Sequence, residues 1–209
     1  MPAEFIKLYP ENPDPRRVQH IVDVLRDGGI IIYPTDTVYG IGCDIFNQKA
    51  IQRICQIKGV KPKEQNFSFI CYDLSDISDY TRTVNTPIFK VMKKALPGPY
   101  TFILNANNNV PKLLNSKKKT VGIRVPDHSI PRTLVKELGG PIVTTSIRDE
   151  DDVIEYSTDP ELIYEKYRDL VDVVIDGGYG NNIGSTILDC TGEEIVIVRE
   201  GLGNVEDIL

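Results

Sequence analysis

Two hydrophobic periods interleave along the chain. From Asp14 to Gly29, "DPRRVQHIVDVLRDGG" places Val18, Ile21, Val22 and Leu25 three or four residues apart, the spacing of one helical face. Asp14 stands as an N-cap, Pro15 as the first helical residue, and the paired glycines as a C-cap. "IIIY" (30–33) follows as a β-branched run, which reads as a buried strand. "NQKAIQRICQIKG" predicts a second helix with Ala50, Ile51, Ile54 and Cys55 on its stripe, and "FSFICYD" a strand. "TPIFKVMKKALPG" is a helix with an early Pro87 and a Pro-Gly stop, followed by strands at "YTFILNA" and "TVGIRV". "SIPRTLVKELGG" reads as a short Ser-capped helix and "PIVTTS" as a strand running out into hydroxyls. In "STDPELIYEKYRDL" the capping pair is Thr158 with Glu161 three residues on. "VDVVIDGG", "STILDC" and "EIVIVREG" close the chain as strands. Interleaved helices and strands with no repeat and no linker predict one α/β or α+β domain over residues 1–209.

Composition narrows the class. The chain has 209 residues, 41% hydrophobic and 26% charged, as in an ordinary globular protein. No apolar run approaches the ~20 residues of a membrane helix, and the opening "MPAEFIKLYPENPDP" lacks the apolar core of a signal peptide. The expected location is cytoplasmic. Cys43, Cys55, Cys71 and Cys190 lie far apart, and so do His20 and His128. Neither a metal site nor a disulfide framework is expected; the thiols read as reduced and partly buried. Net charge is −6, against a protein built to coat nucleic acid. Yet eleven of the 24 basic residues fall in "KGVKPK" (58–63), "KVMKK" (90–94) and "KLLNSKKKTVGIR" (112–124). That clumping leaves room for a local cationic surface or cleft.

Familiar catalytic motifs are absent. "GGYGNNIGST" (177–186) lacks the spacing and the lysine of a P-loop. "GLGNVED" has no third glycine, no G-x-S-x-G elbow occurs, and Val38 stands where a D-x-D motif starting at Asp36 would need an acid. What remains is a set of strand ends bearing hydroxyls and arginines. Thr35 and Thr37 end one strand; Thr120 and Arg124 begin and end another. Thr144, Thr145 and Ser146 end a third, Ser185 and Thr186 begin a fourth, and Arg199 ends the last. Strand ends are where pockets form in open sheets. Hydroxyls donate to phosphate or carboxylate oxygens without adding charge, and arginine grips them in a fork. The set suits an anionic ligand such as a nucleotide or an amino acid. Thr and Ser also serve plain structural ends as strand and cap residues.

"YPTDTVYGIGCD", "PGPYTFIL", "TVGIRVPDHSI", "STILDCTG" and "IVIVREG" occur in this order. Together they resemble the YrdC/YciO family over nearly the whole chain, and "NFSFICYDLSDISDY" is most similar to the YciO branch. The resemblance implies a twisted mixed β-sheet with flanking helices and a central positively charged cavity. It implies an activity as well: L-threonylcarbamoyladenylate synthesis from ATP, L-threonine and bicarbonate with release of pyrophosphate, feeding the t6A modification of tRNA. Double-stranded RNA is a further partner class associated with the family. That chemistry accounts for the missing nucleophile, because the carbamate of threonine attacks the α-phosphorus itself. Magnesium would arrive with the triphosphate, and no all-protein metal site is implied.

Carried over by motif, Thr35, Tyr39, Cys71, Arg124, Ser146 and Ser185 would form the amino-acid pocket, with Arg124 on the carboxylate and the Gly40–Gly42 turn shaping the wall. Lys58, Lys61, Asn66, Thr120, Arg148 and Arg199 would surround the nucleotide. The chain departs from the pattern at four points. The K-x-R motif becomes Lys58-Gly59-Val60-Lys61, and S-x-N becomes Ser146-Ile147-Arg148. Cys71 stands in place of a histidine, and an acidic "RDEDD" follows Ser146. A single domain ending at Leu209 is expected, without the extra C-terminal domain of longer relatives. Two readings follow: a nucleotide-handling synthase, or a binder of RNA or nucleotide with little turnover.

Overall fold

In the computed structural model, which describes residues 1–62, 66–114, 119–147 and 155–209, the two hydrophobic periods resolve into helices packed on one large sheet. The elements run β1 (Glu4–Lys7), α1 (Pro15–Arg26), β2 (Ile31–Tyr33), β3 (Gly40–Asp44), α2 (Gln48–Ile57) and β4 (Ser68–Ile70). They continue with α3 (Thr86–Ala95), β5 (Tyr100–Asn105), β6 (Thr120–Arg124), α4 (Ser129–Leu138) and β7 (Ile142–Ser146). Last come α5 (Glu155–Thr158), α6 (Pro160–Tyr167), β8 (Val173–Asp176), β9 (Thr186–Asp189) and β10 (Val196–Arg199). The ten strands lie in the order β1-β8-β2-β3-β7-β4-β6-β5-β9-β10. Pairing is mixed: β1–β8, β2–β8, β4–β6 and β5–β9 are parallel, and the remaining neighbours antiparallel.

The expected caps hold at α1, where the Asp14 carboxylate accepts from the Arg16 and Arg17 amides and Gly28 follows at φ 86°. Two others move by one residue. Asp159, not Thr158, caps α6 by accepting from Glu161 N at 2.9 Å. His128, not Ser129, caps α4, because the Ser129 hydroxyl instead donates to the Pro10 carbonyl. In both cases a polar neighbour with a better-placed acceptor takes the role. β1 and β3 are strands that the hydrophobic pattern does not predict. β1 is a short, mostly exposed edge, and β3 carries two glycines in five residues.

Residue alternation splits the sheet into two faces. On the back face, Ile30, Ile32, Phe69, Cys71, Phe102, Ile123, Val143 and Val174 pack with Ile51 and Ile54 of α2, Met92 of α3 and Ile163 of α6. On the front face, Ile31, Tyr33, Ile70, Ile142, Val173 and Ile175 pack under Ile21, Val22 and Leu25 of α1 and Ile130 and Leu134 of α4. Each such side chain contributes roughly 1.5–3 kcal/mol by leaving water. The front helices thus cover β8, β2 and one end of β7 and β4. The rest of the front face has no helix from this cluster over it, and that gap positions the site.

Candidate functional site

Across the uncovered front face, register brings small residues into one row. Gly42 pairs with Thr144, Thr144 with Ser68, and Ser68 with Gly122. With little side-chain bulk in four neighbouring strands, the sheet surface sinks there. A Cβ on Gly122 would lie 2.6 Å from Ser68 Oγ. The result is a cavity of about 580 Å3, inside the ~300–1,000 Å3 of ordinary ligand sites. Its lining includes Thr37, Tyr39, Asn66, Ser68, Thr101, Arg124, Thr144, Thr145, Ser146, Ser185 and Arg199. Among the described residues it holds two arginines and no Asp, Glu, His, Lys or Cys.

One wall is the turn between β2 and β3. Thr35 Oγ1 donates to Val38 O at 2.8 Å and accepts from Thr37 N at 3.0 Å, which folds the turn tightly. Asp36 is thereby presented to Arg124, whose Nη2 donates to Asp36 Oδ1 at 2.9 Å and to Thr37 Oγ1 at 3.0 Å. Asp36 Oδ2 also accepts from Asp127 N at 3.0 Å. Arg124 and Asp36 side chains are each 10% exposed, so this pair is a buried one. Arg124 Nε is buried and has no partner, the one such side-chain atom among the described residues. Tyr39 braces the same wall: its hydroxyl donates to Gly178 O at 2.7 Å and accepts from Gly177 N at 3.2 Å. Burial raises its pKa, which keeps it a donor.

The opposite wall is built around Arg199. The register of β10 on β9 shifts between Ile197 and Arg199, an irregularity that re-aims the following side chain. Arg199 Nη2 donates to Ser185 O at 2.8 Å. A Cβ on Gly184 would stand 2.8 Å from that nitrogen, so the glycine is what lets the guanidinium lie against the chain. Ser185 Oγ and Thr101 Oγ1 are 2.8 Å apart. On the floor, the Tyr33 hydroxyl donates to Thr144 Oγ1 at 2.6 Å, and Thr144 donates to Ile41 O at 3.3 Å.

Of the residues expected at the site, Tyr39, Arg124, Ser146, Ser185, Asn66 and Arg199 line this one cavity. Thr35 is buried within its turn and faces an adjoining pocket of about 510 Å3, shared with Asp36, His128 and Gly180. Burial lowers the His128 pKa. Cys71 is fully buried in the back core, on the opposite side of the sheet, and burial raises its pKa. Thr120 shares the face of Gly122 and Arg124 but is off the lining, at the start of β6. Lys58 caps the C-terminus of α2, and Lys61 is exposed in the loop beyond; neither is on the lining. Arg148, the acidic stretch 148–152, Lys117 and Lys118 lie outside the described residues. Sequence reasoning missed Ser68 and Thr101. The available signal was alternation: Ser68 falls two residues from Asn66, and Thr101 shares the parity of Ile103 rather than of buried Phe102.

Comparison with known proteins places this geometry. The Sua5/YciO/YrdC family model, described as "Telomere recombination", matches residues 23–201. Uncharacterized protein YciO of Escherichia coli (strain K12) is 40% identical over 208 residues, 99% of this chain and 100% of that protein. The crystal structure of E. coli YciO superposes with TM-score 0.91 over 99% of this chain and 100% of that one, at 39% identity. A structure of P. abyssi Sua5 complexed with L-threonine matches with TM-score 0.88 at 25% identity, over 98% of this chain and 59% of that one. Threonylcarbamoyl-AMP synthase of Halorhodospira halophila is 31% identical over 137 residues, 66% of this chain and 71% of that protein. No helix among the described residues is long and apolar enough to cross a membrane.

Proposed function

The chain belongs to the Sua5/YciO/YrdC family, and on that footing we propose that its cavity binds ATP, L-threonine and bicarbonate and forms L-threonylcarbamoyladenylate. The observation that carries the reading is Arg124. It lines the cavity, its Nη2 is held by Asp36 and Thr37, and its buried Nε–H is left without a partner. A buried donor of this kind calls for a ligand acceptor, and a carboxylate is the matching one. L-Threonine bound to P. abyssi Sua5 supports the choice of amino acid. In this reading Ser146 and Ser185 complete the amino-acid end. Arg199 and Asn66 take the nucleotide.

The described lining offers no carboxylate, imidazole, amine or thiol to act as base or to activate a hydroxyl, and this fits the chemistry. The threonine nitrogen attacks the bicarbonate carbon, losing a proton and hydroxide, to give the carbamate. A carbamate oxygen then attacks the α-phosphorus and pyrophosphate leaves. The protein's part is to hold two anions in line and offset their charge. Arg124 and Arg199 do so from opposite walls. No carboxylate on the described lining is offered to a metal, so a magnesium ion accompanying ATP would be held by phosphate oxygens. The product is an activated carbamoyl adenylate of the kind used for tRNA t6A.

The test is direct. Pure protein incubated with ATP, L-threonine and bicarbonate is expected to release pyrophosphate and yield the adenylate by mass spectrometry. ATP binding without either product would leave the nucleotide-binding reading and remove the synthase. Arg199→Ala is expected to weaken ATP binding by about tenfold and to leave L-threonine binding nearly unchanged. Calorimetric titration of each ligand checks this, and equal loss of both would remove Arg199 from the nucleotide end.

A further inference from the structure

The hydroxyls that line the cavity differ in how they are committed. Thr37 Oγ1 accepts from Arg124, and Thr144 Oγ1 sits between Tyr33 and Ile41 O. Thr101 and Ser185 bond each other. Thr145 and Ser146 each have an interaction of their own. Ser68 remains. Its hydroxyl makes no hydrogen bond within the described protein, and it stands in the middle of the small-residue row that forms the floor. Thr144 flanks it on one side, and on the other its hydroxyl lies over Gly122, whose missing side chain makes the room.

Arg124 supplies the second observation. It lies two residues beyond Gly122 on the same face, beside Ile70 rather than Ser68. Ser68 and Arg124 are thus diagonal neighbours on paired strands, with backbone positions about 7–8 Å apart. Both side chains are on the lining of the same cavity, so one small amino acid lying across this diagonal can meet both, with an ordinary hydrogen bond at each end. The partnerless Arg124 Nε marks the carboxylate end, so Ser68 marks the end where the side chain lies. Resting on the amino-acid and ATP reading above, we propose that Ser68 holds the side-chain hydroxyl of a β-hydroxy amino acid, and so is the residue that sets amino-acid specificity in this chain. A neighbouring apolar side chain would leave the Ser68 hydroxyl facing it unpaired, which is what discriminates against an isostere.

L-Threonine and L-valine differ at that one group and have nearly the same shape. Titration of both into the full-length protein with ATP is expected to show L-threonine binding at least roughly tenfold more tightly. In Ser68→Ala the two should bind within about twofold of each other, through lost L-threonine affinity, with ATP affinity unchanged. Ser68→Cys keeps the shape with a weak donor and should also lose most of the preference. Thermal melts confirm that each variant is folded. Equal binding of the two amino acids by the unmodified protein overturns the proposal and leaves the amino-acid site standing. So does a threonine preference that survives in folded Ser68→Ala. Binding of neither amino acid overturns both.

Discussion

Arg124→Ala is expected to weaken L-threonine binding by roughly 100-fold or more, while ATP affinity changes by less than about threefold. The split follows from where the guanidinium sits. Its Nη2 is spent on Asp36 and Thr37, and its Nε is buried with nothing to donate to. Arg199 holds the other wall through Ser185 O and is untouched by the change. Stability must be separated from binding, because the substitution strands the Asp36 carboxylate at 10% exposure with the Asp127 amide as its remaining donor among the described residues. Breaking a buried pair in this way costs about 3–5 kcal/mol. The double variant Asp36→Asn with Arg124→Ala removes the stranded charge as well. It is expected to recover much of the melting temperature and still fail to bind L-threonine. Threonine affinity retained in the folded double variant, or ATP and threonine lost equally, would remove Arg124 from the carboxylate site.

The helices on both faces were legible because burial and period agree in them, even where the cap moves by one residue. Val18, Ile21, Val22 and Leu25 are read off α1 at the correct spacing, and each is buried in the front core. The strand ends were legible as a class: Thr37, Arg124, Thr144, Thr145, Ser146, Ser185 and Arg199 come from separate stretches and meet at one cavity, joined there by Tyr39 and Asn66, which the family resemblance supplied. What joins them is strand order, and no local pattern encodes that β7 lies between β3 and β4 or that β9 follows β5. Cys71 shows the reverse case. Motif position drew it to the amino-acid pocket, whereas strand parity with Phe69 puts it in the back core. The same parity, applied one residue over, points Ser68 to the cavity. Lys58 and Lys61 carried the right charge for a phosphate, but α2 packs on the back core, and neither lysine that follows it is on the described lining.

β3 escaped the hydrophobic pattern for the reason that makes it vulnerable. A Cβ at Gly42 would stand 2.6 Å from the Val143 carbonyl oxygen, 2.6 Å from Ile142 Cγ2 and 3.3 Å from the Tyr33 ring. The first of these is backbone and cannot swing aside, so Gly42→Ala must push β3 away from β7. The expected cost is about 3 kcal/mol, which for a chain of this size lowers the melting temperature by roughly 6–12 °C. Gly140→Ala is the control. Nothing lies within 4 Å of its Cβ and its φ is not in the left-handed region, so the melt should be unchanged or slightly raised. A Gly42→Ala variant melting within about 1 °C of the unmodified protein would show that the ladder has slack. Ligand binding should fall with the melt, because Gly42 pairs with Thr144 and Thr144 with Ser68. Displacing β3 therefore tilts the floor row and disturbs the Tyr33–Thr144 bond beneath it. Of the two glycines that hid this strand from sequence reading, Gly40 lies on the cavity lining, and Gly42 is packed against Ile142 and Tyr33 of the front core beside it.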